Sequence, residues 1–380
     1  MAREPVVLLA AGGTGGHLFP AEALADALKR RGVIVDLATD ERATRYGHDF
    51  PARATHVIPS ATIRGRDPIS LAKTAAMLGV GAMKSLRLLR RIKPAAVVGF
   101  GGYPTLPPVL AATLRRIPTV IHDANAVMGR ANRMLAPRVS AIATSFPGMK
   151  LDAALAAKAT TTGNPVRPMV LAAARQPYAA PAADGTFNLL VTGGSQGARV
   201  MADVVPPAIE AIAPELRLRL SIVQQARGED EARVREAYAR LGVKAEVAPF
   251  FPDLPSRIAG AHLIISRSGA STVAELAAIG RPSILVPLPH ALDQDQLANA
   301  TVLANAGGAI VLKQDDFTPE RLAGEAVGDP LAQQRARIQF VPLPFHANPQ
   351  NGVAAGAGPA HGDLGPFRGN GLVGSTIDRQ

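Results

Sequence analysis

The stretch Val6-Val7-Leu8-Leu9-Ala10-Ala11-Gly12-Gly13-Thr14-Gly15-Gly16-His17 decides the fold. It reads as an apolar strand, a tight glycine turn and a helix start. The same text returns as Phe187-Asn188-Leu189-Leu190-Val191-Thr192-Gly193-Gly194-Ser195-Gln196-Gly197-Ala198. In both, missing side chains let backbone N–H groups approach a ligand. The helix start adds partial positive charge at the end of a strand. The copies lie about 180 residues apart, on the order of one domain length. Two α/β domains, each with a glycine loop at the carboxyl edge of its first strand, would face one another across a cleft.

Working outward, the first half alternates strand and helix. Strands are expected at 6–10, 33–38, 57–59, 95–99, 119–122 and 141–144. Helices are expected from about 20 to 31, ended by Gly32, and over 69–92, stopped by Lys93-Pro94. A further helix runs to about 115, after the glycine loop Gly99-Phe100-Gly101-Gly102-Tyr103-Pro104. The order predicts a doubly wound parallel sheet. Residues 171–185 are rich in Ala and Pro without periodicity and read as a connection. The second half repeats the pattern, with strands at 187–191, 219–223, 244–249, 263–266 and 283–287. Its helices are expected at 198–212, 230–241 and 271–279. From about 338 onward Gly, Pro, Asn and His are frequent and helical period is lost, so an irregular tail is expected.

Composition narrows the class. A chain of 380 residues suffices for two cored domains. Aromatics are only 4%, and the apolar mass is mostly Ala, Val, Leu and Ile, as covered parallel strands prefer. With no cysteine there is no disulfide and no thiolate metal site, which suits a cytoplasmic protein. The first strand begins within about five residues of Met1, so no secretory leader is expected. No stretch approaches the ~18 apolar residues of a membrane span. The net charge of +11 favours anionic partners or is plain surface arginine.

Four places carry chemistry. Ser266-Arg267-Ser268-Gly269-Ala270-Ser271-Thr272-Val273-Ala274-Glu275 is a strand, a small-residue turn and a helix start. Its hydroxyls and free helix N–H groups suit a diphosphate, Arg267 adds charge, and Glu275 suits a ribose diol. Spacing alone does not separate this from a capped helix whose Glu275 complements the dipole. Asp293-Gln294-Asp295-Gln296-Leu297-Ala298-Asn299 offers carboxylates and carboxamides for a sugar, or is a polar helix start. His17 follows the first glycine loop, where a neutral imidazole can serve as general base or simply bond to the loop. Residues 69–92 place Leu71, Met77, Leu78, Val80, Met83 and Leu86 among Lys73, Lys84, Arg87, Arg90 and Arg91. With Arg64-Gly65-Arg66, this basic amphipathic helix suits an anionic membrane surface or an ordinary core-facing position. Neither glycine loop has the spacing of a dinucleotide site, although Asp36 and Asp40 end the second strand as its acid would. P-loop, nucleophile-elbow and metal-ligand spacings are missing, so no metal and no cofactor are expected.

Taken together, GGTGGH (12–17), GFGGYP (99–104), HDANAVMGRANR (122–133), GNPVR (163–167), GGSQGAR (193–199), SRSGASTVAEL (266–276) and DQDQLANA (293–300) resemble the MurG family. These are membrane-associated transferases that add N-acetylglucosamine to undecaprenyl-pyrophosphoryl-N-acetylmuramyl-pentapeptide, making lipid II for peptidoglycan. The likeness spans roughly residues 5–335. It implies a GT-B architecture of two Rossmann-like domains. An acceptor and membrane domain would occupy 1–165, a linker 166–185, a UDP-sugar domain 186–337 and an atypical tail 338–380. It places Arg167 and the Phe250-Phe251 loop near uracil and Glu275 on the ribose. Ser195, Ser268, Ala270, Ser271 and Thr272 fall at the diphosphate. Asn125, Asp295, Gln296 and Asn299 fall at the sugar. Thr14, Gly15, Gly16 and Tyr103 take the acceptor, and His17 deprotonates its 4-hydroxyl. Transfer would invert the anomeric centre, with helix dipole and backbone N–H groups holding the leaving UDP. Lys84, Arg87, Arg90 and Arg91 would meet the membrane at the cytoplasmic face of the inner membrane. Cell-wall synthesis proteins are further partners. Nucleic acid is not expected, since the basic residues lack aromatic interleaving.

The chain departs from the family pattern in three places. His122-Asp123-Ala124-Asn125 stands where HEQN is usual, Asp295 stands where some relatives have Gln, and no closing helix shows after Arg337. A non-catalytic UDP-sugar-binding paralogue is the alternative these departures raise. An NAD-linked oxidoreductase is a weaker one.

Overall fold

The computed structural model describes residues 4–41, 50–60, 68–182, 184–195, 197–289 and 295–327. The tail, Arg64-Gly65-Arg66, Gln196, Asp293 and Gln294 lie outside the described residues.

The strands of the first half are β1 (Val6–Ala10), β2 (Ile34–Thr39), β3 (Ala54–Val57), β4 (Ala96–Gly99), β5 (Thr119–Asp123), β6 (Ala141–Thr144) and β7 (Ala159–Thr161). They make one parallel sheet in the order β3-β2-β1-β4-β5-β6-β7. Its helices are α1 (Gly15–Lys29), α2 (Pro68–Ile92), α3 (Leu106–Leu114), α4 (Arg130–Leu135) and α5 (Ala153–Ala156). Neighbouring β1 residues point to opposite faces. Leu8 and Ala10 join a core with α2, α3 and α4, while Leu9 packs with Leu18, Ala21 and Ala25 of α1. Burial on both faces is why β1 is apolar without alternation, whereas the edge strands β3 and β7 carry polar, partly exposed residues.

The second half follows the same plan. After α6 (Pro168–Ala173) come β8 (Phe187–Thr192), α7 (Arg199–Glu210), α8 (Pro214–Arg217), β9 (Leu220–Gln225), α9 (Gly228–Arg240) and β10 (Lys244–Ala248). Then follow α10 (Leu254–Gly260), β11 (Leu263–Ser266), α11 (Ala270–Ile279), β12 (Ser283–Leu285), α12 (Asp295–Asn305), β13 (Ala309–Val311) and α13 (Pro319–Val327). The sheet is parallel, in the order β10-β9-β8-β11-β12-β13. Leu189 and Val191 face α7, α9 and α13, and Leu190 faces α6, α10, α11 and α12.

Three differences from the sequence expectations have physical causes. Helix α1 begins a turn before Pro20, because the His17 and Leu18 N–H groups close on the Thr14 carbonyl at 3.0 and 2.9 Å. Strand β3 lies at 54–57 and not at 57–59, in register with β2 from Asp36↔Ala54 to Thr39↔Val57. Proline at 59 has no N–H to give a ladder. Within residues 166–185, α6 is a helix that buries Val170 and Ala173 in the second core.

The chain beyond α6 is tied down by Arg281. Its buried guanidinium donates to the carbonyls of Ala259 (2.7 Å), Ile279 (2.8 Å) and Gln176 (2.8 Å). Two of these end α10 and α11, where carbonyl dipoles suit a cation.

Candidate active site

In both sheets the strand order reverses beside the first strand, between β1 and β4 and between β8 and β11. Ligands of open parallel sheets bind at such points, outside the carboxyl ends of the strands. Both glycine loops emerge there.

In the first crevice the loops after β1 and β4 are bonded together, Gly12 N–H to the Gly101 carbonyl at 3.2 Å. Between them sits the half-buried His17 ring. His17 Nδ1 lies 2.8 Å from the Phe100 carbonyl. A carbonyl only accepts, so Nδ1 carries a proton, and in the neutral ring the lone pair is on Nε2, the arrangement a base requires. A Cβ on Gly12, Gly101 or Gly102 would stand 3.1, 3.2 or 3.2 Å from the ring. Gly101 and Gly102 also hold φ of +88° and +77°, which favours glycine. Thr14 caps α1 and Tyr103 opens a 3-10 turn, so both stand by the same loops.

Asp123 at the end of β5 is a buried loop organiser. Its carboxylate accepts from Asn125 N–H (3.1 Å), Gly129 N–H (2.9 Å) and Asn132 Nδ2 (2.9 Å). The shorter acid of the HDAN segment is therefore fully engaged. His122 beside it is buried and donates from Nε2 to the Gly163 carbonyl at 3.1 Å. Burial pushes its pKa down, against the pull of that carbonyl and of Asp123. Asp36, where a dinucleotide site would have its acid, is paired instead with Arg53 at 2.8 Å. Burial works against its charge, but hydrogen bonds from Arg53 and His56 outweigh burial and hold the carboxyl below its ordinary range.

The second crevice opens into a cavity of about 750 Å³. The first turn of α11 lines it with Gly269, Ala270, Ser271 and Thr272, followed by Glu275. Opposite stands the glycine loop with Gly193, Gly194 and Ser195. A Cβ on Gly193 would lie 2.1 Å from Ala198 N, so only glycine closes this turn. Gln225 fixes it by accepting from Gly193 N–H (2.9 Å) and Thr192 Oγ1 (3.0 Å). Phe250 and Phe251 line one end, and Gly15, Gly16 and Phe19 of the first domain line the near wall. The Ser271 hydroxyl is buried and has no hydrogen-bond partner.

Arg167 and Asn299 bridge the domains. Arg167 stacks its guanidinium 3.9 Å from the Phe19 ring centre and meets Glu275 at 3.3 Å. Both charged groups are more than nine-tenths buried. Burial pushes the Glu275 carboxyl up, and Arg167 only partly offsets it. Asn299, fully buried, accepts from Ala126 N–H at 2.8 Å and donates to Asn125 Oδ1 at 3.0 Å.

Of the residues singled out from sequence, Gly15, Gly16, Arg167, Ser195, Ala270, Ser271, Thr272, Glu275 and Gln296 line this cavity. His17, Thr14 and Tyr103 stand at the first crevice. Ser268 is buried and donates to the Gln296 carbonyl at 2.8 Å, and Asp295 accepts the Gln296 N–H at 2.8 Å. Arg267 also lines the cavity, with its Nη1 held by the Val286 and Pro287 carbonyls at 3.0 Å each. Phe19, Gln225, Arg227 and Gln314 line it without having been singled out. Only the cation of Arg227 after a strand was a usable signal.

On α2, Lys84, Arg87, Arg90 and Arg91 are exposed, as are Met77, Val80 and Met83. Its core side is Ser85, Leu88, Leu89 and Ile92. No described helix is long and apolar enough to cross a membrane. Among the described residues no cluster of three or more His, Cys, Asp or Glu is placed to hold a metal.

Two Rossmann-like domains meeting over such a cavity define a GT-B glycosyltransferase. The chain belongs to glycosyltransferase family 28, whose N-terminal domain matches residues 7–144 and C-terminal domain residues 188–337, and within it to the MurG family. A relative from Rhodopseudomonas palustris (strain BisA53) is 65% identical over 86% of this chain and 87% of its own length. It bears the name UDP-N-acetylglucosamine–N-acetylmuramyl-(pentapeptide) pyrophosphoryl-undecaprenol N-acetylglucosamine transferase. A relative of the same name from Nitrobacter hamburgensis is 61% identical over 89% of this chain and 91% of its own. The crystal structure of Acinetobacter baumannii MurG superposes with a TM-score of 0.68 at 30% identity, covering 90% of this chain and 96% of that one. The calicheamicin glycosyltransferase CalG4 shares the fold, with a TM-score of 0.59 at 16% identity over 89% of this chain and 93% of that one.

Proposed function

We propose that this chain transfers N-acetylglucosamine from UDP-N-acetylglucosamine to the 4-hydroxyl of the muramyl sugar of undecaprenyl-pyrophosphoryl-N-acetylmuramyl-pentapeptide, giving lipid II with inversion. The observation that carries this reading is the cavity walled by the first turn of α11, Glu275 and the second glycine loop. The names borne by relatives at 61–65% identity supply the substrates. UDP lies in the cavity with its diphosphate at the α11 start, where N–H groups and helix dipole oppose the charge that develops on leaving. The Glu275 carboxylate accepts from the ribose hydroxyls, releasing Arg167. Asn125 and Asn299 turn their amides to the sugar. Nε2 of His17 takes the acceptor proton in line with departure of UDP.

The test is transfer of labelled N-acetylglucosamine to a short-chain acceptor analogue in EDTA. Product establishes the reaction and its independence of added metal. UDP-N-acetylglucosamine binding without product would instead make the chain a non-catalytic binder.

The membrane face is part of the same reading. Met77, Val80 and Met83 rest at the headgroup boundary, and Lys84, Arg87, Arg90 and Arg91 meet anionic lipid at the cytoplasmic face. Arg87→Glu with Arg90→Glu abolishes flotation with anionic vesicles. Unchanged flotation would remove this surface from the role. Acceptor delivery at that face also places the chain among cell-wall synthesis proteins.

A further inference from the structure

Among the arginines that line the cavity, Arg227 is the one whose buried nitrogen has no partner and no role above. Arg227 precedes α9, and it lines the cavity beside the second glycine loop. Its stem lies over that loop, for a Cβ on Gly197 would stand 3.0 Å from Arg227 Cγ. The Nε is buried and has no hydrogen-bond partner. The carboxylate it approaches is Glu229, at 3.8 Å and 70% exposed, a contact that solvent screens.

The other charged groups of the cavity have partners. Glu275 faces Arg167. Asp203 lies 3.5 Å from Arg199 and 2.7 Å from Arg233. Arg267 gives its donors to the Val286 and Pro287 carbonyls and to Gln314. Burial, and then the charge of Arg227, push Arg267 toward losing its proton, so the two guanidinium groups repel one another. Like charges beside helix starts in one cavity are satisfied by an anion.

We propose that Arg227 binds the diphosphate of the donor, a role that rests on the cavity being the UDP-sugar site. On transfer the acceptor oxygen forms a bond to the anomeric carbon and the bond from that carbon to the β-phosphate oxygen breaks. The bonding pair stays on that oxygen, and the acceptor proton goes to His17. UDP leaves with one more negative charge than the donor carried. Arg227 meets that charge with a charge-assisted hydrogen bond, strongest in the transition state and product.

The experiment measures binding of UDP and of uridine to the full chain, to Arg227→Gln and to Arg227→Lys. Uridine carries the same base and ribose without the diphosphate. Arg227→Gln weakens UDP about 10- to 100-fold and leaves uridine within about 2-fold. Arg227→Lys recovers part of the loss. Equal UDP binding by the wild-type chain and Arg227→Gln overturns the role of Arg227 and leaves the donor site standing. Equal weakening of UDP and uridine overturns it too, because the whole cavity has then changed. No UDP binding by the wild-type chain overturns the donor-site reading itself, and the inference with it.

Discussion

The glycine loop after β1 closes around a side chain, whereas the loop after β8 lines a cavity. Both have a strand, a turn and a helix start. In the first, Gly12 and the glycines of the loop after β4 leave room for one imidazole and no more. In the second, Gly193 packs against Ala198, while Gly194, at φ +82°, faces open space. The difference follows from the residue at the last place of each glycine motif, His17 in the first turn of α1 and Ala198 just before α7. The first loop positions a base, and the second makes room for an anion.

That contrast breaks most sharply at His17. His17→Ala should lower turnover by at least ~100-fold and leave UDP affinity unchanged. Near-normal turnover would mean that the first loop positions no base. Next is Glu275→Gln, which weakens UDP and uridine alike, on the order of 30-fold, because the lost contacts are to ribose. Its pH dependence has a definite sign. The raised Glu275 carboxyl binds its proton at higher pH than an ordinary glutamate. UDP affinity is therefore constant at higher pH and falls as pH drops through that raised value. In Glu275→Gln the fall disappears, and titration of UDP affinity against pH checks both. The mildest change is Gly102→Ala, which puts a side chain at φ +77° against the His17 ring. It should cost about 10-fold in turnover with UDP binding intact. A loss of UDP binding there would show that the two loops are not separable.

The long apolar strands and the two glycine loops were legible because each rests on local pattern alone. Short elements were not. Helices α4, α5, α6 and α10 span two turns or fewer, too little for a period to show, and β7 and β13 have three residues each. They exist because tertiary neighbours hold them, as Val170 and Ala173 hold α6 in the second core. In the site, the motif Ser266 to Glu275 was readable as a ligand turn, but not which of its side chains face the ligand. Ser271 and Thr272 line the cavity, while Ser268 turns to the Gln296 carbonyl. Asn299 and Asn125 were read as sugar contacts, and nothing in their spacing shows that they bond to one another across the domains. Arg227 belongs to no motif, and although a cation just after β9 is a local sign, its place in the site needed the cavity.

The Arg281 clamp has a mechanical consequence. It pins Gln176, and with it the chain beyond α6, to the second domain. Val166 packs on the same core, while Gly163 is held to β5 through its carbonyl and His122. Between these anchorages only Asn164 and Pro165 belong to neither plate. Among the described residues the chain passes from one domain to the other through this two-residue axle, and proline stiffens half of it. Pro165→Gly should broaden the distribution of distances between spin labels placed one on each domain, and an unchanged distribution would put the axle elsewhere. Donor and product thus pass a cleft whose two walls are joined, in the described chain, through only these two residues.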